Sequence, residues 1–376
     1  MEIHLSRPDI TDRDIEAVCA VLRGPHLSLG PKVTEFERAF CDYIGAKRAV
    51  AVNSGTSGLF LCASALGIGP GDEVVTTPFT FVASATSIMM AGARPVFVDI
   101  DPASLNIDPA KIESAITERT RAILPVEVFG NPAGLDRVCQ IARKHNLAII
   151  EDSCEALGSA LNGKKAGLFG TMSVFGFYPN KQITTGEGGM ILTDDDALAE
   201  TCVSLRNQGR TRGAGWLGHE RLGYNYRLSD ISCALGIAQL SRIDTIKAKR
   251  RQVAEWYREM LAGDGRLIVP AEPKGCDLSW FVFVVRLTED FTQQQRDRIL
   301  QQMTSAGIEV GNYFPPVHLM PFIAGPFGYK PGDFPAAESA SRRTIALPFH
   351  NHLTQDQVAT VCKTLTEALG SVSCIS

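Results

Sequence analysis

Apolar positions recur at helical spacing near the start of the chain. Ile15, Val18, Cys19 and Leu22 lie three or four apart, with Thr11 placed to cap a helix and Gly24 to stop it. Pro31 opens a second helix through Val33, Phe36, Phe40 and Tyr43. From Ala49 the pattern becomes short apolar runs alternating with helical stretches. Strands are predicted at 49–53, 73–77, 95–99, 122–126 and 148–151, and helices at 56–66, 81–91, 109–116 and 135–145. Such alternation predicts a mostly parallel α/β sheet covered by helices on both faces. Ligands of such sheets sit at the carboxyl ends of the strands. The loops there carry Asn53-Ser-Gly-Thr56, Pro78-Phe-Thr-Phe81 and Asp152.

After Thr193 the strict alternation is lost. Residues 235–260 read as one long, charged, amphipathic helix, a natural connector between domains. Short strands within 279–287, a helix at 293–306 and a last helix at 355–369 predict an α+β arrangement. The 376 residues exceed what one core comfortably serves. We therefore expect a large domain of residues 1–245 and a small C-terminal domain of residues 246–376, with roughly the first 12 residues packing on the small one.

Composition mainly excludes. Net charge is −4, with 45% hydrophobic and 21% charged residues, ordinary for a soluble globular protein. No basic patch points to a nucleic-acid partner. The N-terminal residues lack the pattern of a signal peptide, and no apolar run nears the ~20 residues of a membrane span. A cytoplasmic protein without a membrane partner is expected. The ten cysteines form no C-x-x-C and no zinc spacing, and they read as small buried hydrophobes. No metal site is expected.

Lys181 carries the chemistry. It follows an aromatic run and precedes the glycine turn Gly186-Glu-Gly-Gly189. A lysine held in a desolvated pocket has a lowered pKa and becomes a nucleophile. Asp152 ends the apolar run Leu147-Ala-Ile-Ile150, where a carboxylate is costly unless paired. Gly55 and Thr56 stand where a helix N-terminus offers free N–H groups to a phosphate. Phe79 and Phe81 follow Pro78, and a flat ring there can stack on a pyridine. Together these point to pyridoxal 5′-phosphate (PLP), which needs an amine for a Schiff base and a carboxylate for its ring nitrogen. No dinucleotide fingerprint or Walker lysine competes.

The ordered motifs 27–31, 53–59, 78–81, 95–99, 151–158, 178–190, 223–230 and 313–319 resemble the DegT-type (DegT/DnrJ/StrS) nucleotide-sugar aminotransferases, a branch of the fold-type I PLP enzymes. The resemblance implies a large domain with a mostly parallel seven-stranded sheet and a smaller α+β domain. It makes Lys181 the lysine of an internal aldimine, Asp152 the ring-nitrogen partner and Phe81 the stacking aromatic. Gly55 and Thr56 hold the phosphate, and Asn225 reaches it from the other subunit of a homodimer. The implied substrate is a nucleotide-linked keto-(6-deoxy)hexose, with L-glutamate as amino donor. A keto-cyclitol substrate and a PLP-bound regulatory protein are the alternatives.

The chain departs from the family at several positions. Gly176 replaces a serine common five residues before the lysine. Glu155 stands where Gln or His is common near the cofactor's phenolic oxygen, which a carboxylate repels unless protonated. Glu127 stands where histidine is common. A sister group with histidine in place of the lysine performs dehydration, so Lys181 favours amine transfer. For the substrate, His318 and Tyr313 are pocket candidates. Arg210, Arg212 and Arg221 could pair with a diphosphate, and a solvated basic loop is an equal reading.

Overall fold

A seven-stranded sheet forms where the alternation predicts one. The computed structural model describes residues 2–211 and 218–373. Helices α1 (Asp12–Leu22) and α2 (Pro31–Ile44) lead into β1 (Arg48–Val52). Then follow α3 (Gly55–Ala65), β2 (Glu73–Thr76), α4 (Ala83–Met90), β3 (Arg94–Phe97), the single turn α5 (Pro109–Ile112), β4 (Thr120–Ile123), α6 (Leu135–Lys144) and β5 (Ala148–Asp152). The short strands β6 (Ala160–Leu161) and β7 (Lys164–Lys165) precede β8 (Met172–Gly176) and β9 (Gly189–Thr193).

The order across the sheet is β1-β9-β8-β5-β4-β2-β3. The neighbours from β8 to β3 pair in parallel, whereas β9 is antiparallel to both β1 and β8. Both faces are covered, which is why the strands are buried at most positions. Val174 and Ile191 share a core with Leu59 and Phe60 of α3. The alternate residues Phe175 and Met190 share another with Phe36 and Phe40 of α2.

Beyond β9 lie α7 (Asp196–Arg206), α8 (Asp230–Leu240), α9 (Ile243–Met260), β10 (Leu267–Ile268), β11 (Cys276–Asp277), β12 (Phe283–Leu287), α10 (Gln293–Ser305), α11 (Pro321–Phe327), α12 (Pro335–Arg343), β13 (Thr344–Leu347) and α13 (Gln355–Ser373). A three-stranded sheet, β10-β12-β13, is antiparallel. It carries a separate core in which Val285, Ile299, Ile345 and Leu365 are fully buried. Ile3 joins this core and bridges to Ile308. α9 contributes to both halves, Ile243 and Ile246 to the core of α2 and Val253, Ala254 and Tyr257 to the second core.

Three expectations are corrected. The helix predicted over 235–260 is two helices, broken where Arg242 leaves helical geometry at φ −113°. There its guanidinium reaches across to the Asp9 carbonyl at 2.6 Å and the Asp14 carboxylate at 2.9 Å. The strand predicted from 279 begins only at Phe283, because Ser279 is bonded to Ser159 and Trp280 adopts φ 54°. The helix predicted at 109–116 is one turn followed by a 3-10 turn. Among the nine described cysteines, all free, Cys62, Cys202, Cys233 and Cys362 are buried and the other five only half-buried. Among the described residues, no helix is long and apolar enough to cross a membrane.

The start of α2 is fixed from a distance. The wholly buried Asp230 accepts from Gly30 N at 2.8 Å and Lys32 N at 2.9 Å. It satisfies two unpaired donors at a helix N-terminus and complements the dipole there. Asp230→Ala is expected to destabilise the protein by about 1–3 kcal/mol. The check is a lower denaturation midpoint with an unchanged denaturant slope.

Candidate active site

β5 ends at Asp152 and β8 at Gly176. A cavity of about 480 Å³ opens beside both ends, lined by Gly55, Thr56, Phe81, Asp152, Glu155, Gly176, Lys181 and Tyr313, among others. Residues far apart in sequence meet there because the loops that follow parallel strands converge on one edge of the sheet.

Asp152 is buried, 6% exposed. Ser84 Oγ donates to its Oδ2 at 2.8 Å, Thr80 Oγ1 lies 2.8 Å from Ser84 Oγ, and Cys154 N donates to Oδ1 at 3.3 Å. Among the described residues no lysine or arginine forms an ion pair with it. A buried carboxylate with hydrogen bonds but no cation is suited to a protonated ring nitrogen.

Lys181 follows a tight turn in which its N–H donates to Tyr178 O at 2.9 Å. Its Nζ stands 4.0 Å from the centroid of Phe281 and 3.5 Å from Glu155 Oε1. Its carbonyl accepts from Arg250 at 3.2 Å. The same guanidinium donates to Trp280 O at 3.2 Å and Phe281 O at 3.0 Å. Among the described residues no acid forms an ion pair with the buried Arg250, and burial pushes its pKa down to about 10 against the charge of Asp9. It ties the lysine loop to the segment that supplies Phe281.

The N-terminus of α3 is capped by Ser54 Oγ, which accepts from Ser57 N at 3.1 Å. The first N–H groups of the helix, those of Gly55 and Thr56, face the cavity end. β9 passes so close behind that a β-carbon on Gly189 would stand 2.7 Å from the Ser54 carbonyl. Phe81 is 61% exposed at the cavity wall, while Phe79 is wholly buried against Phe129 and Phe314. A β-carbon on Gly176 would lie 3.4 Å from Cys154 Sγ, so the thiol occupies the space beside that glycine. Asn180 Oδ1 is buried beside the cavity without a hydrogen-bond partner. An anion cradle, an unpaired buried acid, an exposed ring and a lysine within one cavity fit PLP.

The acids nearby are handled differently. Burial pushes the Glu155 carboxyl above its ordinary range, against the pull of Lys181 and of the Phe129 N–H. Glu127 lies outside the cavity, and neither of its oxygens finds a partner. Burial, then the neighbouring Glu151, holds its carboxyl well above the usual carboxylate range. Glu151 instead accepts from Phe169 N at 2.8 Å, Gly170 N at 2.9 Å and Gly167 N.

Several candidates are not brought to the cavity. His318 is completely buried, 3.3 Å from Glu338 Oε1 and edge-on to Phe334. Burial lowers its pKa, and this position corrects its assignment to a substrate pocket. Arg210 and Arg221 do not line the cavity. Arg210 bridges to His219 through its backbone and Arg221 is exposed. Arg212 lies outside the described residues. Asn225 is exposed on the strand-like bridge to Asn207, away from its own chain's cavity. Ser84, Phe281 and Arg250 escaped sequence reasoning. Ser84 and Arg250 look like ordinary helical residues, and nothing local marks Phe281 as a neighbour of Lys181.

Residues 8–366 match the model of the DegT/DnrJ/EryC1/StrS aminotransferase family. The GDP-perosamine synthase of Caulobacter vibrioides is 41% identical over 345 residues, 91% of each chain. The solved structure of Helicobacter pylori PseC, an aminotransferase of pseudoaminic acid biosynthesis, superposes with a TM-score of 0.94 at 30% identity, covering 99% of this chain and 100% of that one. The PLP form of Spr1654 from Streptococcus pneumoniae superposes with a TM-score of 0.94 at 29% identity and the same coverage. The chain belongs to the DegT/DnrJ/EryC1/StrS aminotransferase family and is a PLP-dependent aminotransferase.

Proposed function

We propose that the protein transfers an amino group from L-glutamate to the ketone of a nucleotide-linked keto-(6-deoxy)hexose, with Lys181 as the cofactor-binding lysine. The observation that carries this reading is the meeting of Lys181, Asp152, Phe81 and the open end of α3 in one cavity. The names of relatives over nearly the full length, GDP-perosamine synthases among them, support a sugar nucleotide as substrate.

When bound, PLP supplies an aldehyde that captures amines and a pyridinium that withdraws electrons. The chain supplies the rest. Asp152, held by Ser84, keeps a proton on the ring nitrogen. The Gly55 and Thr56 N–H groups bind the phosphate dianion with the α3 dipole behind them. Phe81 covers one flank of the ring, its exposed face free for that contact. Lys181, as a free amine, would serve as the base and acid that moves a proton at the substrate carbon. Phe281 and Tyr313 limit water around its amine. Asn225, exposed on its own chain, completes the phosphate site of a second copy.

Wild-type protein mixed with PLP is expected to show a visible absorbance band that is absent from Lys181→Ala. A panel of UDP-, dTDP- and GDP-linked keto-sugars and keto-cyclitols, with glutamate, tests the substrate. Turnover is expected with a nucleotide-linked sugar, and turnover confined to a cyclitol would reverse the reading. For the shared site, Lys181→Ala and Asn225→Ala proteins are unfolded, mixed and refolded together. Hybrid dimers are expected to regain amine transfer, because one of their two sites then holds both Lys181 and Asn225. No regain above the separate variants places Asn225 outside the partner's site.

A further inference from the structure

Glu155 is the one acid among the described residues within ion-pair reach of Lys181, at 3.5 Å, and the two side chains are 10% and 15% exposed. Three features hold it there. Phe129 N donates to Oε2 at 2.8 Å, and Phe129 adopts φ 59°, a left-handed conformation that a β-carbon disfavours. Gly130 follows at φ 83°, where a β-carbon would stand 2.7 Å from the Glu155 carbonyl. Gln182, the residue after Lys181, donates Nε2 to that same carbonyl at 2.7 Å. Strained backbone, close approach and a bond from the lysine's own neighbour all serve to set one carboxylate against one amine.

We propose that Glu155 is the proton acceptor of Lys181, converting the buried ammonium to a free amine without release of a proton to solvent. This rests on the reading of Lys181 as the cofactor-binding lysine. The N–H bond of the ammonium breaks and an O–H bond forms on Glu155 Oε1. With PLP held in the cavity, its aldehyde would take the freed lone pair, the amine's two remaining hydrogens would leave with the aldehyde oxygen as water, and Glu155 would keep its proton. Burial penalises the charge on Glu155, and Asp152 repels it, both of which favour a protonated Glu155 against the pull of Lys181. Burial and the charge of Glu155 raise the pKa of the Tyr313 phenol, and burial raises that of the Cys154 thiol. A neutral carboxyl then remains in the cavity, which removes the repulsion a carboxylate would exert on the cofactor's phenolic oxygen.

The ion pair and the neutral pair hold the same number of protons, so the fraction of free amine does not change with pH between the two apparent pKa values of the pair. Without Glu155 the ammonium must lose its proton to water, and free amine rises tenfold per pH unit. The experiment follows the growth of the visible band after apoprotein is mixed with PLP, across pH, for wild type, Glu155→Gln and Glu155→Asp. Each variant is read as its rate divided by the wild-type rate, so the cofactor's own ionisations cancel. For Glu155→Gln the logarithm of this ratio is expected to rise with pH at a slope of one. For Glu155→Asp, which keeps the acid, it is expected to stay flat. A flat ratio for Gln, or a rising one for both, overturns the proposal. A band that survives in Lys181→Ala sinks the reading of Lys181 itself. Loss of that band beside a flat Gln ratio overturns only the role of Glu155.

Discussion

Glu151 and Asp152 end an apolar strand, and Glu127 and Glu155 lie close by, so four acids crowd a region from which water is largely excluded. An ionised carboxylate there must find hydrogen bonds or a cation, or else take up a proton. Each acid answers differently. Glu151 is satisfied by three backbone N–H groups of the loop after β7. Burial holds the carboxyl of Glu127, beside it, well above the usual carboxylate range. Asp152 accepts from the Ser84 hydroxyl, and Glu155 faces Lys181.

The lysine depends on the same arrangement and on both halves of the chain. Its loop rises from the large sheet, but the ring over its amine belongs to Phe281, and Arg250 of α9 holds both segments by their carbonyls. A fully buried guanidinium without an acid at its side is expensive, and three accepted hydrogen bonds offset that cost. The site is therefore built across the region where the two cores meet. Movement of one half relative to the other would alter the surroundings of the amine directly.

Much of this was legible from spacing. The period of the apolar residues changed at Ala49, and the five strands predicted from there to 151 lie within three residues of their predicted bounds, whereas β8 and β9 were not predicted. Asp152 was visible as a charge at the end of an apolar run, and Lys181 as a lysine between aromatic and glycine segments, because both break the local pattern. Gly55 and Thr56 were visible as the start of a helix after a strand. His318 misled for the opposite reason: a histidine in an aromatic and proline-rich run looks functional in sequence, whereas folding buries it against Glu338.

The sequence by itself determined the sheet, the helices that cover it and the edge on which chemistry collects, because those follow from local periodicity and from the geometry of parallel strands. Only the tertiary structure decided which distant side chains surround the lysine. Ser84 behind Asp152, Phe281 over the amine, Arg250 beneath the loop and the hold of Phe129 on Glu155 are contacts between residues 26 to 100 positions apart. No local pattern encodes them. They are set by how the helices and the second core pack against the sheet, and that packing also breaks the helix at Arg242 and turns Asp230 toward the start of α2.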